Sequence, residues 1–557
     1  MRETINLKQN IDSNKTFITL LAVLLAFHFF SNAYLLTKNP LPEGKDSYAH
    51  IMGYLNFSDI LQQRTKSLFY QPEKSLFYNI FFSVFDYPVF FYLTVFFINM
   101  IFGNFIFYCI IFTSTVFFLL LLIAVYKIGC FLNPQTGILA AVICSSFPIV
   151  FITARHFNLE IALSALVCVS IWMLLRTNFF TERLFSILLG IILGLGMLTK
   201  QSFLIYVLGP IAIILYKCLV VRDRDIFFTS IRNIIFCFAI ALLLSFYFYS
   251  QGDIYMNINT RINFTGAVNG NNIFQTQHLM YYVKSLTLSL GWGFTLLLIF
   301  SLFSIRKITQ PLRFLLIAWF IFPLLVFTFI KIKYTEYSIA YLPAAAIISG
   351  SAISLIRNIK LKKILIISIL VMATVNFFML SYFNFKSFFT TYYYQNLKGE
   401  LIESDQITGI SQIERKTEFK DLLKKLGNSG KAIGIFYDDI NLQFPAYFTR
   451  FISVETKKQV QILDMLFRIP LFFNKLDRID SLIFVSCSGQ DWISEKSFFK
   501  FEQDLNKQTF YRYKFRPYFL ERILAAKKNF ILTHKLGFET TGNKLQKENI
   551  FIYKRMP

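Results

Sequence analysis

Residues 104–126 read NFIFYCIIFTSTVFFLLLLIAVY and contain no charged side chain. A helix needs about 20 mostly apolar residues to cross the hydrocarbon core of a bilayer, and this stretch is long enough. Similar apolar runs recur through the first 384 residues, separated by short segments that carry the charges. The sequence therefore predicts an α-helical polytopic membrane protein.

The composition of the whole chain supports this prediction. Of its 557 residues, 55% are hydrophobic, 18% are aromatic and only 16% are charged. Disordered chains are poor in aromatic residues, and a soluble globular protein carries more charge. In a soluble protein a net charge of +24 would suggest binding to nucleic acid, whereas in a membrane protein it indicates basic cytoplasmic loops. Seven scattered cysteines show neither a disulfide framework nor the ligand spacing of a zinc site.

We predict about eleven membrane spans, with eleven to thirteen as the range. Their approximate limits are 17–36, 104–126, 136–153, 159–175, 185–199, 202–220, 231–250, 285–304, 313–330, 337–356 and 364–384. A further apolar run, from Tyr87 to Phe102, is marginal in length and has Pro88 near its start, so we interpret it as interfacial or re-entrant.

The basic residues predict the orientation of the chain. With the N-terminus in the cytoplasm, the cytoplasmic segments up to residue 384 carry 17 Lys and Arg and the opposite face carries 11. This bias favours a cytoplasmic N-terminus. It places a first outer loop at about 38–103, and everything after residue 385, outside the cytoplasm. A bacterial inner membrane with a periplasmic C-terminal domain fits best, and the endoplasmic reticulum has the same topology.

The last part of the chain, residues 385–557, is more polar and predicts one soluble α/β domain outside the cytoplasm. Helices are predicted in IERKTEFKDLLKKLGNSG (413–430) and PYFLERILAAKKN (517–529). Strands are predicted in KAIGIFYDD (431–439), SLIFVSCSG (481–489) and NIFIYKR (549–555). The domain boundary then falls after a transmembrane domain of residues 1–384.

Five segments carry the features on which a function can be argued. They are NPLPEGKDSYAH (39–50), DYPVFFYLTVFFINMIFG (86–103), TARHFNLEIAL (153–163), GLGMLTKQS (194–202) and KIKYTEYSIAYLPAAAIISG (331–350). In this order they resemble the motifs of the type C (GT-C) glycosyltransferases, which use sugars linked to polyprenyl phosphates. Within that superfamily the chain most resembles the branch of the protein O-mannosyltransferases and lipid A aminoarabinose transferases (glycosyltransferase families 39 and 83). The resemblance covers about residues 20–350.

The resemblance implies transfer of a sugar, a hexose or a pentose, from a polyprenyl-phosphate donor to an acceptor hydroxyl on the non-cytoplasmic face. Asp46 would be the general base that takes the proton of the hydroxyl as it attacks. Relatives often carry Asp followed directly by Glu at this place, whereas Asp46 is followed by Ser47, and Glu43 is the alternative acid.

Cations near the departing lipid phosphate would stabilise its growing negative charge. The candidates lie at the predicted outer ends of spans and are Arg155, Lys200, Lys331 and Lys333. Lysines at such positions also commonly extend to lipid headgroups, and Arg155 with Glu160 could instead be a structural ion pair. His50, Glu160 and Tyr337 are further candidate site residues.

No cofactor is required by this chemistry, and no metal ligand set is predicted. Some GT-C relatives use divalent ions, so a divalent cation held by His50 and His156, with Asp46 and Glu160 as companions, stays an open alternative. The expected partners are the lipid-linked donor, the bilayer and a protein, lipid or polysaccharide acceptor, without nucleic acid. Three other functions also remain open: a lipid or sugar transporter or flippase, a polysaccharide polymerase or ligase, and an inactive relative that only binds.

Overall fold

A computed structural model shows how these segments are arranged. It describes residues 11–38, 50, 54, 57, 58, 61, 87–102, 106–155, 157–220, 223–250, 276–330 and 335–382, and five strands between 432 and 555. The described helices and the described strands belong to two different compact units.

The described part of the first unit is helical throughout. Its helices are α1 (Ile11–Lys38), α2 (Phe90–Phe102), α3 (Ile106–Cys130), α4 (Pro134–Ser146), α5 (Pro148–Thr153), α6 (Leu159–Arg176), α7 (Arg183–Met197), α8 (Phe203–Leu219), α9 (Arg224–Tyr249), α10 (Thr276–Leu290), α11 (Trp292–Leu302), α12 (Leu312–Phe329), α13 (Leu342–Ser354) and α14 (Ile359–Tyr382). Short 3-10 turns lie at Ile305–Lys307 and Thr335–Ser338.

The prediction of a polytopic helical membrane protein is confirmed. Six described helices are long and apolar enough to cross a membrane, or seven if the bent pair α10 and α11 is one span. Four shorter apolar helices accompany them, at Phe90–Ile101, Arg183–Met197, Phe203–Leu219 and Leu342–Ser354. The first of these lies in α2, within the segment predicted to be interfacial or re-entrant, and the 13 residues of α2 reach only about 20 Å.

Two segments predicted as single spans are broken helices. Pro148 begins α5 directly after Phe147, whose extended backbone ends α4. Gly291 separates α10 from α11 with a φ of +80°, in the left-handed region that favours glycine. The axes of α10 and α11 differ by 111°. A run of apolar residues does not reveal such breaks, because hydropathy is unaffected by a turn of the backbone.

The most enclosed candidate span is α6, with 83% of its residues buried, whereas only 11% of the α14 window is buried. Small residues allow close packing around this centre. A Cβ atom on Gly350 of α13 would lie 3.0 Å from the backbone nitrogen of Ala140 in α4. The start of α6 is itself inside the bundle, since Leu159 and Glu160 are both buried.

The strands of the second unit form one five-stranded mixed sheet. They are β1 (Ala432–Tyr437), β2 (Ile462–Asp464), β3 (Ile479–Ser486), β4 (Phe530–Thr540) and β5 (Gln546–Arg555), in the order β2-β1-β3-β5-β4. Strand β1 is parallel to β2 and β3, while β5 is antiparallel to β3 and β4. Three of these strands were predicted, and β2 and β4 were not. The two helices predicted in this part lie outside the described residues, so the boundary after residue 384 stays a prediction.

Candidate active site

Glu160 occupies the first turn of α6. The side chain of Asn158 caps this helix by accepting a hydrogen bond from the backbone N–H of Leu159 at 3.0 Å. A carboxylate in the first turn also interacts favourably with the positive end of the helix dipole. Glu160 is only 4% exposed, so its charge depends on a partner inside the protein.

That partner is Lys200, whose ammonium group donates to Oε1 of Glu160. Lys200 lies in the turn between α7 and α8, and its backbone N–H donates to the carbonyl of Gly196 at 3.2 Å. Its side chain is 14% exposed. Burial lowers the pKa of the Lys200 ammonium, but the Glu160 carboxylate outweighs burial and raises that pKa above its ordinary value. Lys200 is therefore a fixed cation at neutral pH.

The second carboxylate oxygen of Glu160 is available for another interaction. Oε2 is buried, and it has no hydrogen-bond partner among the described residues. Buried carboxylate oxygens are normally satisfied, and exceptions mark places where a ligand or water completes the set. The pair thus presents one unsatisfied acceptor oxygen beside a fixed cation.

His50, from the predicted first outer loop, lies beside this pair. Its Nδ1 is 2.7 Å from the hydroxyl of Tyr92 in α2, and its ring packs edge-on against Tyr87 at 4.9 Å between centroids. Burial lowers the pKa of His50 to about 4, with a smaller raising effect from Glu160 and a lowering effect from Lys200. The imidazole is therefore neutral at physiological pH.

Tyr337 covers Lys200 from the other side. The Lys200 ammonium lies 5.7 Å from the centre of the Tyr337 ring, which stacks on Phe327 at 4.6 Å. Such a cation–π contact is stabilising within about 6 Å. The backbone carbonyl of Tyr337 accepts a hydrogen bond from the hydroxyl of Tyr206 at 3.0 Å.

The backbone that carries Tyr337 is held by side chains of three different helices. Besides Tyr206 of α8, Ser164 of α6 donates to the carbonyl of Ile339 at 3.2 Å, and Trp319 of α12 donates to that of Ala340 at 3.0 Å. Each of these bonds satisfies a carbonyl outside a regular helix. The segment is consequently fixed in position relative to Lys200.

Arg155 contacts a different set of residues. Its Nε donates to Oδ1 of Asn32 at 3.2 Å, and its Nη2 donates to the Ser381 hydroxyl at 2.5 Å. The guanidinium also lies 5.0 and 4.9 Å from the ring centres of Phe151 and Phe377, which contact each other at 5.2 Å. The ion pair considered between Arg155 and Glu160 is not formed, because Glu160 pairs with Lys200.

The structure therefore brings together four of the predicted site residues, which are His50, Glu160, Lys200 and Tyr337. Asp46, Glu43, Lys331 and Lys333 lie outside the described residues, and their roles stay predictions. Sequence reasoning did not single out Tyr92 and Tyr206 as contributors. The one available signal for Tyr92 was its place in segment 86–103, in which aromatic residues follow Pro88. Nothing local distinguishes Tyr206 from other tyrosines in apolar helices.

The described residues contain no group of three or more His, Cys, Asp or Glu side chains placed to hold a metal ion. Since Asp46 and His156 lie outside the described residues, the open alternative of a divalent cation is untested.

The arrangement of helices matches that of known structures. ArnT from Cupriavidus metallidurans bound to undecaprenyl phosphate aligns with a TM-score of 0.56 and 11% sequence identity, over 96% of this chain and 98% of that chain. The apo form of the same ArnT gives a TM-score of 0.55 and 11% identity, over 97% and 98%. The archaeal oligosaccharyltransferase AglB from Archaeoglobus fulgidus, in complex with an inhibitory peptide and a dolichol-phosphate, aligns at 0.47 and 9% identity, over 95% and 74%.

The chain is thus a polytopic membrane protein with the GT-C fold. Residues 86–249, which include Arg155, Glu160 and Lys200, match the family model of the dolichyl-phosphate-mannose-protein mannosyltransferases. A comparison with curated protein sequences found no match. The resemblance predicted from the five motifs is confirmed at this level: residues 86–249 match the family model, and the ArnT structures share the fold of the chain.

Proposed function

We propose that this protein is a membrane glycosyltransferase that transfers a sugar, a hexose or a pentose, from a polyprenyl-phosphate-linked donor to an acceptor hydroxyl. The observation that carries the proposal is the pairing of half-buried Lys200 with buried Glu160, with His50 and Tyr337 beside them, within the GT-C fold. These residues come from the motif segments that resemble the family. Undecaprenyl phosphate bound to ArnT supports a donor of this class.

Lys200 supplies positive charge for the donor phosphate in this proposal. When the bond from the sugar to the phosphate breaks, both electrons stay with the phosphate oxygen, and a fixed cation lowers the barrier to that charge separation. Lys200 suits this role because Glu160 and Tyr337 hold it in place and it remains protonated. Lys331 and Lys333 precede Tyr337 in the chain, and we propose that they contribute to the same anion site.

Asp46 is the proposed general base. It would take the proton of the acceptor hydroxyl while the hydroxyl oxygen attacks the sugar carbon, which makes a sugar–acceptor bond and releases polyprenyl phosphate. Glu43 is the alternative acid in the same loop. We further propose a bacterial inner membrane, with a cytoplasmic N-terminus and the reaction on the periplasmic face. No cofactor is needed for the transfer itself, and a divalent cation remains an alternative to be tested.

The test is donor turnover by the full chain purified in lipid nanodiscs. The protein is incubated with a panel of polyprenyl-phosphate sugars and native membrane extract, and released polyprenyl phosphate is quantified by mass spectrometry. Asp46→Asn is expected to lower release by about a hundredfold or more, as the loss of a general base does. Asp59→Asn, which removes another acid of the same predicted loop, is the matched control and should keep normal release.

Each other outcome changes the proposal in a defined way. Normal release by Asp46→Asn together with loss in Glu43→Gln would transfer the role of base to Glu43. Absence of release from every donor, with correctly folded protein, would overturn the proposed activity. Movement of the lipid between leaflets without release would instead identify a flippase.

A further inference from the structure

Arg155 joins three parts of the helical unit that are far apart in sequence. It lies in the turn before α6, five positions ahead of Glu160. Asn32, which accepts from its Nε, is in the last two turns of α1, and Ser381, which accepts from its Nη2, is in the last turn of α14. Asn32 and Ser381 are 7% and 1% exposed, so both contacts lie inside the protein.

Two aromatic rings also contact the guanidinium. The ring centres of Phe151 of α5 and Phe377 of α14 lie 5.0 and 4.9 Å from its Cζ, and the two rings contact each other at 5.2 Å. Phe377 also packs edge-on against His28 of α1, with 5.4 Å between the ring centroids. The guanidinium reaches Asn32 and Ser381 with two donors of one fixed planar fork, and a lysine ammonium does not reproduce that geometry.

We infer that Arg155 is a positioning residue that fixes the end of α1 relative to the start of α6, rather than a ligand of the donor phosphate. This inference rests on the proposed function, because the segment that follows α1 carries the proposed base Asp46, and α6 carries Glu160. Transfer depends on how accurately the reacting groups are placed, and misplacement by about 1 Å lowers the rate by about a hundredfold. α14, the third partner, is the last helix before the predicted soluble domain.

The two roles of Arg155 give different kinetics. A positioning residue affects the chemical step, so Arg155→Gln should lower kcat by about tenfold to a hundredfold and leave KM for the donor within about twofold. A phosphate ligand would instead raise KM for the donor. Arg155→Lys keeps the charge but not the fork, so we expect it to be as impaired as Arg155→Gln.

The control is Arg176→Gln. Arg176 ends α6, and its guanidinium also stacks on a phenylalanine, Phe185, at 4.3 Å. Its substitution removes a comparable stacked arginine at the opposite end of the same helix, and it should leave kcat unchanged.

Asn32 and Ser381 accept the hydrogen bonds of Arg155, and single variants of these two residues keep the inference testable if Arg155→Gln fails to fold. Asn32→Ala and Ser381→Ala should each lower kcat by about threefold to tenfold, since a hydrogen bond to a charged group is lost. Adding either to Arg155→Gln should cause no further loss, because all three changes remove the same interaction.

Three results would overturn the inference while leaving the proposed function intact. The first is a normal kcat in both Asn32→Ala and Ser381→Ala. The second is a normal kcat in Arg155→Lys. The third is an Arg155→Gln variant whose KM for the donor rises while its kcat is unchanged. Failure of the wild type to turn over any donor would instead remove the proposed function on which the inference rests.

Discussion

The ammonium group of Lys200 donates to the carboxylate of Glu160, a residue forty positions earlier in the chain, and Glu160 is buried while Lys200 is half-buried. Lys200 comes from the turn between α7 and α8, and Glu160 comes from the first turn of α6. Neither charge would be stable alone in this environment.

Removing one member of this pair should be more damaging than removing both. Lys200→Met leaves the Glu160 carboxylate buried without its cation and should lower the free energy of unfolding by about 3–5 kcal/mol. The double variant Glu160→Leu with Lys200→Met leaves no buried charge and should recover most of this loss, yet remain inactive in donor turnover. Chemical unfolding in detergent micelles measures the first effect.

Lys217→Met serves as the control for this experiment, because Lys217 lies in the last turn of α8 and the structure records no acidic partner for it among the described residues. It should unfold like the wild type. Equal instability of the double variant and of Lys200→Met would contradict the pairing.

The ring of Tyr337 should stabilise Lys200. Tyr337→Phe keeps both the cation–π contact and the stack on Phe327, so it should retain more stability than Tyr337→Leu. Tyr337→Leu loses both contacts and should cost about 1–2 kcal/mol of stability. Comparison of the two melting temperatures checks this, and the idea fails if Phe and Leu behave alike.

Stability should depend on pH through His50. Its pKa is lowered from an ordinary value near 6.5 to about 4 in the folded protein, mainly by burial. Between these two values the unfolded chain binds the proton more readily than the folded chain does, so stability should fall as the pH is lowered from about 6.5 to about 4. Above about 6.5 the imidazole is neutral in both states and contributes no slope.

Thermal unfolding of the wild type and His50→Gln across this pH range isolates that effect. The difference in slope between the two proteins reports His50 alone, since other titrating groups are common to both. Parallel curves would show that His50 is not the titrating group.

Helices α7 and α9 should be sensitive to a single added methyl group. A Cβ atom on Gly190 of α7 would lie 2.4 Å from the carbonyl oxygen of Cys237 in α9, which is backbone and cannot rotate away. Gly190→Ala should therefore lower stability by about 1–3 kcal/mol through forced separation of the helices. Gly293→Ala is the control, because the atoms that its Cβ meets belong to the flexible side chain of Met372. A similar melting temperature for both variants would contradict this packing argument.

Hydropathy located the helices of the membrane unit well, since nine of the eleven predicted spans overlap one helix each. The remaining two, 136–153 and 285–304, each overlap two helices. The backbone turns between these helices, at Phe147–Pro148 and at Gly291, do not change the hydropathy of the segment. The motif comparison also found His50, Glu160, Lys200 and Tyr337 as candidates. It proposed Arg155 as a phosphate ligand, which stays a prediction, and it did not foresee the contacts of Arg155 with Asn32 and Ser381.

The sequence by itself determined that this chain is a helical membrane protein, because the cost of placing polar residues in a bilayer acts on every apolar segment separately and is visible locally. It also determined which segments could carry chemistry. Only the tertiary structure decided that Glu160 pairs with Lys200, that His50 is held by Tyr92, and that Arg155 joins α1 to α14. Such pairings are non-local, since they depend on which helix ends meet when the bundle packs, and residue types alone do not specify that geometry.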